Sequence, residues 1–328
     1  EYAGNFDAYH PAVAVVTSAE WDHPDVFADR AEVVTSFDRW IRAMAAGDAP
    51  PVAVVNIADR GAAELASGLR DWAGRIVATA IVDAESQRAA SIGRGMGDEY
   101  ATDGGPATTL LGRIVRLEPS ATLLELHGLD PLRGPITVRL PTAGRHNAAN
   151  ALGVAAAAAR AGLPAAAIVE GLASFGGVGR RLERKGEAGG VVVYDDYAHH
   201  PSAIRETLAA VRQREPGRPV WAVYEPLTYH RTAALFDDFA DVLASADGVA
   251  IADIWAGRDP DTTIASADRL AQAVATRNLR IPVAAPGSVE ATAAWLAREV
   301  RSGDAVLVMG GGRSYRIADL LVEALADR

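Results

Sequence analysis

Four stretches of this chain place residues able to do chemistry at close spacing. In VAVVTSAEWDHPDVF (13–27) a short β-branched run turns into a polar loop holding Glu20, Asp22, His23 and Asp25 within six positions. A histidine flanked by carboxylates can hold a divalent cation, and a cation implies phosphate. The same loop also reads as a solvated connection whose Asp caps a helix starting near Ala28. RHNAANA (145–151) sets His146, Asn147 and Asn150 on an otherwise apolar helix. Asn147 and Asn150 are spaced i, i+3, so their amides share a face and can read a purine edge; equally, His146 or Asn147 can cap the helix. YDDYAHHPS (194–202) packs two aspartates, two histidines and two tyrosines into one short stretch. Such groups are costly to bury unpaired, which marks a site, although Pro201 also suits a helix start. In EPLTYHRT (225–232) Arg231 can grip a carboxylate with two parallel bonds. MGGGRSYR (309–316) reads as a tight turn first and an anion nest second.

These stretches need elements to hold them, and the hydrophobic pattern supplies strands ahead of most. Buried strands are expected at 13–17, 52–56 and 75–82, with helices over 29–46 and 60–72 between them. Strand–helix alternation predicts a mostly parallel α/β sheet. From 110 to 140 the pattern becomes short alternating strands separated by Gly and Pro, expected as a small antiparallel sheet, before a helix over 145–161. The Gly-rich, charged segment SFGGVGRRLERKGEAGG (174–190) reads as a boundary, dividing the chain into 1–178 and 179–328 and acting as a hinge. Beyond it, strands at 191–195, 220–224, 248–252, 281–285 and 305–309 alternate with helices, a doubly wound arrangement whose site belongs at the strand ends.

Composition narrows the function classes. At 328 residues the chain is comfortable for two domains, and 49% hydrophobic with 23% charged residues is ordinary for a soluble protein. A net charge of −10 argues against general nucleic-acid binding, and no apolar run is long enough to span a membrane. Absence of cysteine excludes disulfides and thiolate metal sites and suits the cytoplasm. The only lysine, Lys185, sits in RKGE, so no GxxxxGK[ST] phosphate loop exists within these residues.

In order, TSAEWDHPD, GRHNAANA, GVGRRLERKGE, YDDYAHHPSAIRETL and EPLTYHRT resemble the Mur ligases, ATP-dependent peptide-bond-forming enzymes of peptidoglycan synthesis. The nearest branches are the one adding L-alanine to UDP-N-acetylmuramate and its recycling cousin adding a preformed tripeptide. EWDHPDVF looks more like the peptide branch and YHRT more like the alanine branch. The resemblance covers essentially the whole chain and implies the family's central ATP-binding domain followed by its C-terminal Rossmann-like domain. It also implies that the UDP-sugar domain and the phosphate loop belong upstream of Glu1, the start being a cleavage product or the edge of an expressed piece.

Residue by residue, the resemblance implies Glu1 and His23 as magnesium ligands, with Asn147 and Asn150, beside His146, at the adenine. Arg181 and Asp196 would contact ATP from the C-terminal domain as it closes. Tyr197, His199 and Arg231 would position the amino substrate. The alanine branch carries a second arginine where this chain has Thr228, which weakens L-alanine as the substrate. Partners implied are UDP-N-acetylmuramate and an amino acid or short peptide, with ATP and magnesium. A non-catalytic two-domain binding or regulatory protein is the alternative; a nucleotide-cofactor oxidoreductase lacks its GxGxxG.

Overall fold

A computed structural model describes residues 5–45, 47, 49–82, 99–130, 134–257 and 259–327. The chain forms two compact units, Glu1–Gly176 and Gly177–Arg328.

In the first unit β1 (Val13–Val16), β2 (Val52–Asn56), β3 (Arg75–Val82), β4 (Thr108–Glu118), β5 (Ala121–His127) and β6 (Ile136–Leu140) lie in that order in one six-stranded sheet. Strands β1 to β4 pair in parallel, whereas β4–β5 and β5–β6 are antiparallel. The antiparallel part is therefore continuous with the parallel part through β4. Strand β2 shows why: Val52 and Val54 enter one apolar core and Ala53 and Val55 the other. A strand covered on both faces must be apolar at every position, as parallel strands usually are.

Helices α1 (Arg30–Arg42) and α2 (Arg60–Gly68) contribute to one core, and α3 (Arg145–Arg160) and α4 (Ala165–Ser174) to the other. Asp29 caps α1 by accepting from Glu32 N, and Asp59 caps α2 by accepting from Ala62 N. Helix α3 is mostly alanine on its buried side, which lets it lie close to the sheet around Leu152. Leu152 is fully buried, and its truncation to Ala would cost about 2–5 kcal/mol.

The second unit holds β7 (Glu183–Ala188), β8 (Val191–Asp196), β9 (Val220–Glu225), β10 (Gly248–Ala252), β11 (Val283–Gly287) and β12 (Ala305–Gly310). Its helices are α5 (Pro201–Arg214), α6 (Tyr229–Ala234), α7 (Phe236–Leu243), α8 (Ala267–Arg277), α9 (Val289–Glu299) and α10 (Tyr315–Ala326). The six strands run β11-β10-β9-β12-β8-β7, all parallel except β7, which is antiparallel to β8. Strand β12 enters between β8 and β9. This is a topological switch point, where open α/β sheets bind ligands at the carboxyl ends of their strands.

Strand β7 occupies ERKGEA, inside the segment read as the domain boundary. As an edge strand it needs no apolar alternation, so periodicity gave no sign of it. It is tied instead by pairing with β8 and by Lys185, 3.1 Å from Asp319 of α10.

Candidate functional site

The first unit carries two of the motifs. After β1, the 17–27 loop turns at His23, whose φ is 55°, and Val26 N and Phe27 N donate to His23 O. The His23 ring lies 3.8 Å from Asp22 and 4.0 Å from Asp25, with His23 and Asp22 partly buried and Asp25 exposed. Glu1 lies outside the described residues. Among the described residues no group of three or more His, Asp or Glu side chains is arranged to hold a metal ion.

At the start of α3, Asn147 Nδ2 donates to Ala143 O at 2.7 Å, tying the helix to the residue before its Gly144 cap. His146 is half-buried and Asn150 exposed. Asn147 thus already performs the local structural task, with its amide oxygen as the remaining base-reading group.

In the second unit the strand register brings the other motifs together, since Met309 lies opposite Asp196 and Gly310 opposite Glu225. Arg180 is the hub. Its Nε donates to Asp195 Oδ2 at 3.0 Å, and its Nη2 donates to Gly310 O at 2.9 Å and Ser314 Oγ at 3.0 Å. The guanidinium also lies over Tyr197 and Tyr315, at 5.1 and 5.2 Å from the ring centroids. Arg181 lies over Tyr197 as well, at 5.5 Å.

Asp196 accepts from Leu182 N at 2.6 Å and from Ala198 N at 2.8 Å, so its carboxylate closes the Arg180–Leu182 bend. His199 stands edge-on to Tyr197, with Nδ1 2.8 Å from Tyr197 O. A carbonyl only accepts, so Nδ1 carries the proton in that bond.

Thr228, at φ 63°, caps α6 by accepting from Arg231 N, while its own N–H donates to Trp255 O at 2.9 Å. Its side chain therefore has a structural task apart from any effect on a pocket. Arg231 is only 3% exposed. Asp259 holds the neighbouring His230 twice, accepting from its backbone N at 2.9 Å and lying 3.0 Å from ring Nδ1.

Backbone strain marks the same loops. Among the described residues the positive-φ positions other than glycine are His23, Arg180, Leu182 and Thr228, each inside a motif that the sequence singled out. Leu and Thr enter this region rarely, and such conformations cost on the order of 1–3 kcal/mol each.

The glycine turn after β12 is packed around an internal acid. Glu225 is 3% exposed, and its Oε2 has no hydrogen-bond partner. Burial pushes its carboxyl above the ordinary range, opposed by the N–H groups of Ser314 and Arg313 and by the Arg180 charge. A Cβ on Gly312 would fall 2.8 Å from Glu225 Oε2 and 2.9 Å from Trp255 Cγ, and one on Gly310 2.7 Å from Glu225 O. The amides that could cradle a phosphate here face the protein's own carboxylate. Asp195 is likewise raised by burial, with Arg180 opposing.

Residue types alone did not single out Arg180, Glu225 and Trp255 as a unit. Arg180 stands beside the motif arginine Arg181, Glu225 opens EPLTYHRT just past the expected strand, and Trp255 lies outside every motif. The available signal was the coincidence of GVGRR, VYEP and MGGGRS at strand ends.

Comparison with known proteins fits this arrangement. Residues 180–312 match the family described as Mur ligase, glutamate ligase domain. The whole chain aligns with UDP-N-acetylmuramate–L-alanine ligase of Roseiflexus sp. (strain RS-1), 33% identical over 340 residues, covering 100% of this chain and 66% of that protein. This chain belongs to the Mur ligases. It spans just under two thirds of the length of that relative. The fold agrees with the crystal structure of UDP-N-acetylmuramate-alanine ligase from Thermotoga maritima, at a TM-score of 0.68 and 18% identity, over 98% of this Mur ligase chain and 61% of that one. It also agrees with the MurF ligase from Thermotoga maritima solved with ADP, at a TM-score of 0.60 and 18% identity over 97% of this chain and 63% of that one.

Proposed function

We propose that these residues are the nucleotide-binding and amino-substrate parts of an ATP-dependent ligase. It would join L-alanine, or a peptide beginning with L-Ala, to UDP-N-acetylmuramate in the cytoplasm. Residues 1–178 would form the central ATP-binding domain and 179–328 the amino-substrate domain. The observation that carries the reading is the meeting of three motifs at the ends of β8, β9 and β12, within the segment matching the family domain.

ATP supplies the phosphoryl group that activates the sugar carboxylate as an acyl phosphate; the amine then attacks the carbonyl carbon, loses its proton, and phosphate leaves. Asn147 Oδ1 and Asn150, beside His146, would read adenine. Arg181, its guanidinium near Tyr197, would meet the nucleotide phosphates, with Asp196 keeping the Arg180–Leu182 bend in place. Glu1 and His23 are the proposed magnesium ligands, but the described residues do not assemble a metal site, so no step is assigned to the ion. Tyr197, His199 and Arg231 would orient the amino substrate.

Threonine at 228 favours a peptide over free L-alanine. A free amino acid presents a carboxylate beside its amine and is gripped best by two cationic groups. In a peptide that carboxyl is an amide. The test is phosphate release by the complete gene product with UDP-N-acetylmuramate and either L-alanine or L-Ala-γ-D-Glu-meso-diaminopimelate. Preference for the tripeptide is expected; preference for L-alanine overturns the substrate, and no release with either overturns the ligase. The 328 residues alone, without a GxxxxGK[ST] loop, are expected to release none.

A further inference from the structure

The glycine turn after β12 has the backbone of an anion site but holds an anion of its own. The N–H groups of Ser314 and Arg313 face the Glu225 carboxylate, and Arg180, the nearby guanidinium, is engaged by Asp195, Gly310 O and Ser314 Oγ. A second anion at the turn would meet like charge with its donors already committed. What the turn lacks is a donor: Glu225 Oε2 is buried without a hydrogen-bond partner, and such an acceptor costs on the order of 1–3 kcal/mol until one reaches it.

Its surroundings suit a cationic donor. Glu225 Oε2 and Trp255 Cγ both lie within 2.9 Å of the place a Gly312 Cβ would take, so the acid sits beside the indole. Trp255 is 44% exposed, so the indole forms the solvent side of the acid's surroundings, and a ligand reaching Oε2 would have to displace it. Leu227 and Tyr197 flank Gly311, and the Tyr197 ring lies under the Arg180 and Arg181 guanidiniums. A carboxylate beside an indole can combine ion pairing with cation–π attraction for an ammonium group. Asp195 Oδ1 is also unpaired but belongs to a fully buried residue with no such aromatic surround described.

We propose that Glu225 receives the amino group of the nitrogen-donating substrate, making the glycine turn an ammonium site that favours amines whose neighbouring carboxyl is masked as an amide. This rests on the ligase reading only for the identity of the amine as a co-substrate. Glu225 acts here as a binding and positioning residue.

The test uses the 328-residue chain without ATP or UDP-sugar, so its failure leaves the ligase reading standing and failure of the ligase assay does not decide it. Backbone amide resonances of Gly311 and Gly312 and the Trp255 indole resonance are followed during titration with L-alaninamide, L-alanine and N-acetyl-L-alaninamide. Saturable shifts with L-alaninamide are expected, at least about threefold weaker with L-alanine and absent with the acetylated probe, which has no cationic amine. Glu225→Gln, which keeps an oxygen for the two amides, should weaken L-alaninamide by at least about fivefold. Equal binding by the variant, equal binding of the acetylated probe or of L-alanine, or no saturable shift in the wild-type chain overturns the proposal. Should the variant not fold, the wild-type chain decides: the Glu225 carboxyl carbon resonance must titrate at lower pH when saturated with L-alaninamide, and an unchanged titration overturns the proposal.

Discussion

The start of α3 and the strand ends of the second unit were equally prominent in sequence, yet they hold their residues differently. At α3 the prominent side chains act locally: Asn147 bonds the carbonyl four residues back, and Asn150 is exposed. At the ends of β8, β9 and β12, groups more than a hundred residues apart share bonds, as Arg180 does with Gly310 and Ser314. Residues three or four apart on one helix share a face whatever the rest of the chain does. A hub of three loops exists only if the strand order places their ends side by side. Disruption should therefore spread in the second region and stay local in the first.

The largest effect should follow Arg180→Ala. It leaves Asp195, wholly buried, without its cation and unties the glycine turn, at a cost of about 3–5 kcal/mol. Chemical denaturation measures it, and a loss below about 1 kcal/mol would break the comparison, since the hub would then carry no more than a surface pair.

Next is Gly312→Ala, which puts a methyl against Glu225 Oε2 and the Trp255 ring. Overpacking of this kind costs about 1–3 kcal/mol, and the change should appear in the Trp255 fluorescence environment as well as in stability. A neutral result would mean that the turn opens freely.

Asn147→Ala should cost less, about 0.5–1.5 kcal/mol, for one hydrogen bond at a helix start. Calorimetry sharpens the contrast: wild-type ATP affinity is expected on the order of millimolar, weakened further by this variant. Unchanged ATP binding would leave Asn147 a purely structural residue.

The smallest effect is a dependence on pH. Burial raises Glu225 in the folded chain above its unfolded value, so above the ordinary carboxylate range the folded state binds more protons than the unfolded one. The stability this group contributes is fully present below the unfolded value and declines as pH rises through the folded one. Glu225→Gln should remove that decline, and denaturation midpoints measured from about pH 4 to 8 should slope less steeply than wild type. A parallel slope would place the titrating burden on Asp195, raised for the same reason.

Much of the fold was legible because its signals are local. Strands β2, β3 and β10 match their expected bounds, being apolar runs between breakers. Helices expected over 29–46 and 60–72 end earlier, at Arg42 and Gly68, since helical spacing continues into residues that no longer bond as helix. The edge strand β7 escaped because polar ERKGEA needs only a neighbour to pair with.

By itself the sequence determined which loops concentrate histidines, carboxylates and arginines after apolar strands, because such clusters are visible in one dimension. It also determined the family, through the order of five motifs. Tertiary structure decided which groups meet. The insertion of β12 between β8 and β9 sets Gly310 opposite Glu225 and so turns a glycine-rich turn into the housing of an internal carboxylate. Strand order depends on long-range pairing, for which the residues of any one motif carry no local signal, so an anion nest and a filled nest look alike until the sheet is assembled.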